Sequence, residues 1–112
     1  DFEPDAGQFE ELIWERLYAR SEGFDAVKVV RLWVGQYDYN TLDQNAILGR
    51  WPGLENFFVA AGFSGHGLQQ SPAVGRGMAE LMLTGGYRTL DLSPLGVERV
   101  LENRAFLERA VV

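Results

Sequence analysis

The only histidine of the chain, His66, sits in the stretch Gly62-Phe63-Ser64-Gly65-His66-Gly67-Leu68-Gln69-Gln70, directly after the apolar run Phe57–Ala61. Several chemistries use glycines in such a place, and each demands a particular neighbour. A Walker loop ends in Gly-Lys-Ser/Thr, but Gly67 is followed by Leu68 and Gln69. The dinucleotide fingerprint needs a third glycine. Counted from Gly65 and Gly67 that position is Gln70, and counted from Gly75 and Gly77 it is Glu80. A nucleophile elbow needs glycine two residues after its serine, and after Ser64 that residue is His66. None of these chemistries is signalled, and Ser64 does not read as a nucleophile. What remains is an apolar strand ending at Gly62, a tight glycine turn, and a helix whose first backbone N–H groups point back at the turn. Those groups and the helix dipole suit an anion or an electron-rich oxygen. Glycine also removes Cβ atoms that would block a flat ligand. On these residues alone two readings stay open: an ordinary strand-to-helix turn, or a ligand-facing loop.

Composition narrows the classes. A chain of 112 residues is enough for one ordinary domain, and 46% apolar residues with a mean hydropathy of −0.13 read as globular. The formal net charge of −6 argues against a nucleic-acid backbone or an anionic membrane surface as partner. The absence of cysteine excludes disulfides, iron–sulfur ligation and thiol catalysis within the chain. With one histidine, a zinc site would have to rest on carboxylates, so no metal centre is expected. No apolar run approaches a membrane span. The chain begins Asp1-Phe2-Glu3-Pro4. That is neither a signal nor a transit peptide. Without an initiator methionine it reads as a processed chain or a piece of something larger.

The elements that must position the glycine stretch follow from pattern. Asp5 to Arg20 reads as a helix, with Asp5 and Gln8 in loose capping-box spacing and Phe9, Leu12, Ile13 and Leu17 as its apolar stripe. Ser21-Glu22-Gly23 breaks it. Val27 to Val34 is rich in β-branched and aromatic residues and reads as a strand. Asn40 to Asn45 reads as a turn, Ala46-Ile47-Leu48 as a short strand closed by Gly49, and Trp51-Pro52-Gly53 as a second turn. Phe57 to Ala61 is apolar without alternation, which suits a strand buried on both faces of a parallel sheet. A helix from near Leu68 to Leu83 follows. Val74, Met78 and Leu81 form its core face, and Gly75 with Ala79 forms a small-residue face for close packing. Thr84-Gly85-Gly86 ends it. Leu92-Ser93-Pro94 reads as a cap with Pro at the first helical position of a short helix from Leu95 to about Leu101. The tail from Glu102 to Val112 reads as helical or loose. No internal repeat or low-complexity segment is present.

The stretch AAGFSGHGLQQSPAVGRGMAELMLTG resembles the C-terminal strand, loop and helix of the D-amino-acid-oxidase-like family of FAD-dependent oxidoreductases, which includes sarcosine oxidase, glycine oxidase and dimethylglycine dehydrogenase. Upstream, Trp33-Val34-Gly35-Gln36-Tyr37 followed by TLDQNAILG resembles the family's Trp-x-Gly, Thr-x-Asp and Ile-x-Gly segment. The resemblance runs from about Val27 to Leu95 and more loosely to both ends. It implies a mixed α+β or α/β arrangement, the C-terminal portion of a FAD-linked oxidoreductase fold. Residues 1–50 would end an antiparallel-sheet substrate domain. Residues 51–95 would give a buried return strand, a flavin-facing loop and a helix of the Rossmann-like FAD domain, and 96–112 a C-terminal tail.

The resemblance also implies the chemistry: oxidation of a C–N bond of an amine or amino acid by hydride transfer to flavin N5. Gly65, His66, Gly67, Leu68 and Gln69 would line the flavin, and Tyr37 and Tyr39 would face the substrate. His66 also reads as a hydrogen-bonded turn residue, and Arg76 as a solvated helix residue. The cofactor would be non-covalent FAD in the full-length protein, not retained by this chain alone. Its partners would be the remainder of its own flavoenzyme and a small amine or amino-acid-like substrate. The helix's small-residue face would be open to self-association. The compartment would be cytoplasmic in a bacterium and mitochondrial in a eukaryote. Three positions depart from the pattern. Sarcosine oxidases carry a lysine at the position of Gln69 to hold the substrate carboxylate. Glycine and D-amino-acid oxidases carry an arginine at the position of Tyr37. The cysteine that links flavin in sarcosine oxidases is replaced by Gly35 or Gln36, so no cysteinyl link forms. The missing cations open a second reading of a different class, a non-catalytic binding or assembly module, as for a respiratory complex, on the same fold. A free-standing α+β domain is a third.

Overall fold

The structure is a computed structural model that describes residues 2–108. The chain forms two compact units, Asp1–Gln36 and Tyr37–Val112.

In the first unit a π-helical segment, Phe9–Trp14, runs into the short helix α1, Glu15–Tyr18. The expected helix is therefore present, though half of it is under-wound. Asp5 does not form a reciprocal capping box; its carboxylate accepts from the Gly7 N–H at 3.0 Å. Ser21 stops the helix by turning extended and accepting the Gly23 N–H at 3.3 Å, which starts a 3₁₀ turn, Glu22–Phe24. Trp14 Nε1 donates to the Phe24 carbonyl at 2.9 Å and ties helix to turn. The expected apolar stripe is not a core: Leu12 and Ile13 stay exposed, and Phe9 and Leu17 are half-buried. The expected strand at 27–34 is also not formed; these residues have no regular structure and are exposed. A strand is stabilised by its ladder and cross-strand neighbours, and no strand pairs with this segment among the described residues. High β-propensity alone does not supply a partner.

The second unit carries the core. Strand β1, Ile47–Arg50, pairs antiparallel with β2, Phe58–Ala61, and Leu48 faces Ala60. The turn between them is the one marked by Trp51-Pro52-Gly53. Trp51 N–H donates to the Phe57 carbonyl at 2.9 Å, and the Trp51 and Phe57 rings meet edge-on. The expectation of a parallel, doubly buried strand at 57–61 is corrected here. β2 is one arm of a two-stranded antiparallel hairpin, with Phe58 and Val59 half-buried and Ala60 and Ala61 exposed. Its apolar run does not distinguish a central strand from a hairpin arm, because hydrophobicity without alternation carries no register.

Helix α2, Gly67–Thr84, matches its expected span within a residue. Val74 and Met78 enter a cluster with Ala46, Leu48 and Leu92, against which Phe58, Phe63, Leu81, Tyr87 and Leu95 are partly buried. Each fully buried side chain of this kind contributes about 1.5–3 kcal/mol. The close-packing glycine is not Gly75, which has open space around it, but Gly77, whose missing Cβ leaves room for the Leu92 side chain. Beyond α2, the Asp91 carboxylate accepts the Ser93 N–H at 2.9 Å and opens the 3₁₀ turn Ser93–Leu95. The helix α3, Val97–Leu101, follows. Leu48 and Gly96 form an isolated parallel bridge, so α3 begins against β1. After α3, residues 104–108 have no regular structure, and 109–112 of the expected tail lie outside the described residues.

Candidate functional site

β2 delivers the chain to Gly62, and α2 starts at Gly67, so five residues make the turn between them. Three of the five have positive φ: Gly62 at 69°, Ser64 at 50° and Gly65 at 90°. Gly65 is the position where only glycine is at ease, because a β-carbon at that φ crowds its own backbone. His66 sits as the N-cap of α2 with φ −98° and supplies no side-chain cap. His66 N–H donates to Phe63 at 2.9 Å and the His66 carbonyl accepts from Gln70 N–H at 3.1 Å, so turn and helix are continuous. The first-turn N–H groups of Gly67, Leu68 and Gln69 therefore lie at the positive end of an 18-residue helix with no acidic residue in its first turn.

Segment 37–40 grips this turn. Gly62 N–H donates to the Asp38 carboxylate. Ser64 N–H donates to the Asp38 carbonyl at 3.0 Å. The Ser64 hydroxyl accepts from Asn40 N–H at 2.9 Å and lies 3.3 Å from the Gly62 carbonyl, to which it donates. Ser64 is buried and its hydroxyl is engaged on both sides, which fits a structural residue. The Tyr37 ring lies beside Gly65, with its nearest atom 3.5 Å from where a Cβ would stand. Phe63 fills the equivalent space at Gly67, also at 3.5 Å. The bare faces of these two glycines are thus covered by the chain's own rings. Backbone N–H groups, rather than cleared Cβ space, are what the turn offers outward.

Of the residues expected to line a ligand, the structure brings Gly65, His66, Gly67, Leu68 and Gln69 together at the head of α2, with Leu68 88% exposed. Tyr37 joins them through Gly65. Tyr39 is half-exposed, one residue before Asn40. Arg76 is exposed and pairs with Glu80 at 3.2 Å one helical turn on.

Behind the turn lies a polar centre that sequence reasoning missed. Arg99 and Asp43 are both buried and form a two-pronged pair, Nε to Oδ2 at 2.7 Å and Nη2 to Oδ1 at 3.0 Å. Nη1 also donates to the carbonyls of Leu95 and Gly96, and Nη2 shares its hydrogens with those of Asn45 and Ala46. Asp43 also accepts from Asn40 Nδ2 at 2.8 Å, Asn45 N–H at 3.2 Å and Phe106 N–H at 3.0 Å. Burial alone would raise the Asp43 pKa. The Arg99 hydrogen bond, the two backbone N–H groups and the Arg99 charge outweigh it and hold the carboxyl below its ordinary value. Asp43 stands in the sequence inside a polar turn, and Arg99 stands 56 positions later in a short helix. Nothing local links the two; only the unpaired look of an arginine between Val97 and Val100 gives a hint.

Among the described residues no group of three or more His, Cys, Asp or Glu is placed to hold a metal ion. No described helix is long and apolar enough to cross a membrane.

A family model described as "FAD dependent oxidoreductase" (DAO) matches residues 1–81. FAD-dependent oxidoreductase domain-containing protein 1 of Xenopus laevis is 47% identical over all 112 residues of the chain, which cover 22% of that protein. Its Bos taurus counterpart is 50% identical over 99 residues, covering 82% of this chain and 20% of that protein. The peroxisomal sarcosine oxidase of Homo sapiens is 44% identical over 62 residues, 54% of this chain and 15% of that protein. The chain thus spans about a fifth of the length of the first two relatives. No solved structure matches it.

Proposed function

The chain belongs to the FAD-dependent oxidoreductase family, and from that premise we propose that its full-length protein oxidises a C–N bond of a small amine or amino acid. FAD, when bound, would supply the two-electron acceptor for that oxidation. The contribution of this chain is the head of α2. Gly65, His66, Gly67, Leu68 and Gln69 would line the flavin, and the first-turn N–H groups would stabilise negative charge on it. Tyr37 and Tyr39 face the substrate, and Tyr37, packed on Gly65, links the two groups. In this reading residues 1–50 belong to the substrate domain and 51–95 to the FAD domain.

The observation that carries the reading is the head of α2, which has no side-chain cap and no first-turn acid and follows a glycine at φ 90°. Dipole and donors there favour an electron-rich ligand by about 0.3–1 kcal/mol per charge when exposed, and about 2 when partly buried. The test is anaerobic mixing of the full-length protein with a panel of small secondary and primary amines and amino acids. Bleaching of the visible flavin band by one of them supports the reading. Flavin that stays oxidised with every one of them, while chemical reductants still bleach it, argues for the second reading.

That second reading, a non-catalytic binding or assembly module on the same fold, has one observation in its favour. Gln69 and Tyr37 are uncharged at the two positions where the resemblance leads one to expect substrate-holding cations. Losing a charge-assisted pair forfeits about 1.5–3 kcal/mol of substrate binding.

A further inference from the structure

We propose that Arg99 and Asp43 are positioning residues for the head of α2, acting through Asn40 and Ser64; this rests on the reading that the head of α2 meets the flavin. The links are continuous. Arg99 holds Asp43 through two hydrogen bonds, at 2.7 and 3.0 Å. Asp43 Oδ1 accepts from Asn40 Nδ2 at 2.8 Å. Asn40 N–H donates to the Ser64 hydroxyl at 2.9 Å, and Ser64 adjoins Gly65. Asn40 is itself fixed on its other sides, Nδ2 to the Asn45 carbonyl at 2.7 Å and Oδ1 to Leu42 N–H at 3.1 Å.

Two observations say that this chain of contacts sets the turn rather than merely filling space. First, Ser64 is a non-glycine residue held at φ 50°. A conformation of that kind persists only where its surroundings over-determine it. The surroundings are Asp38 on its N–H and Asn40 on its hydroxyl. Second, the Arg99–Asp43 pair is buried with every nitrogen of the guanidinium engaged, and no buried side-chain polar atom among the described residues lacks a partner. A fully satisfied polar centre of this kind has one arrangement, so it can hold a neighbouring turn to one geometry. Arg99 also holds the Leu95 and Gly96 carbonyls, and thus ties α3 to the same point.

The test uses the full-length protein with FAD. Ser64→Ala cuts the last link, together with the hydroxyl's bond to the Gly62 carbonyl, and Arg99→Lys cuts the first while keeping the charge. Each is expected to weaken FAD binding about tenfold or more and to shift the visible flavin spectrum, at temperatures where circular dichroism shows both variants folded. In the double variant the effects should fail to multiply, because both changes break one chain of contacts. Hydrogen exchange provides an arm independent of flavin. Arg99→Lys should speed exchange of the amides at 62–69 while leaving those at 78–84 unchanged. FAD affinity and spectrum that stay as in the wild type overturn the proposal, as do single-variant effects that multiply, or exchange at 62–69 that does not change. Should Arg99→Lys fail to fold, Ser64→Ala still decides through affinity and spectrum. A wild-type protein that holds no flavin overturns the functional reading instead, and the exchange arm still decides whether the pair holds the turn.

Discussion

Asp43 has no exposed surface, yet its carboxyl stays ionised because five hydrogen bonds converge on it, from Arg99 twice, Asn40, Asn45 and Phe106. Its folded-state pKa lies below the ordinary 3.8. A depressed carboxylate stabilises the fold fully above its unfolded value and loses that contribution as pH falls through the folded value. Stability is therefore expected to fall on acidification below the ordinary carboxylate range. Asp43→Asn should flatten that limb, and it should cost about 3–5 kcal/mol at neutral pH because it leaves Arg99 buried without its counter-charge. Denaturant titrations at several pH values check both statements. Glu80 is a surface counterpart. Its carboxylate receives the Thr89 hydroxyl, then the N–H groups of Thr89 and Arg88, and also Arg76, and its pKa is lowered from 4.5 to about 2. Thr89→Val removes the first of these, so the Glu80 carboxyl should titrate at a higher pH, as read by its side-chain NMR shift. A midpoint that does not move would contradict that assignment.

Helix α2 shows what was legible in the sequence and what was not. Its span, its Val74 and Met78 face and its end at Gly85 follow from local signals, because period, glycine and cap act within one or two turns. The role of its glycines does not, since it depends on Leu92 arriving from a distant segment. Identical substitutions should therefore have opposite signs in the 112-residue chain. Gly75→Ala meets open space and should stabilise by up to about 1 kcal/mol. Gly77→Ala drives a methyl into Leu92 and should destabilise by about 1 kcal/mol after the helix gain is subtracted. Thermal melts of the pair check this. The antiparallel pairing of β2 and the irregular course of 27–34 were not legible for a related reason: strand type is set by the partner, and an apolar run does not name its partner. The glycine turn was legible as a turn, but the grip of Asp38, Asn40 and Ser64 on it needs residues 24 positions apart to meet.

At the scale of the whole molecule, much apolar surface remains uncovered in a chain that spans about a fifth of its first two relatives. Val30 is 96% exposed, Leu68 88% and Leu83 85%. In the proposed function the head of α2 is one wall of a cofactor site whose nucleotide-binding part lies in other residues of the full-length protein. The isolated 112 residues should accordingly purify colourless and retain no stoichiometric FAD. The central claim, that the turn at 65–69 contacts flavin, is tested most directly by flavin content in full-length Gly65→Val. A β-branched side chain at φ 90° cannot keep the turn without strain. A folded variant that loses its flavin absorbance while the wild type keeps it is the expected result, and undiminished flavin in the variant would contradict contact between the turn and the flavin.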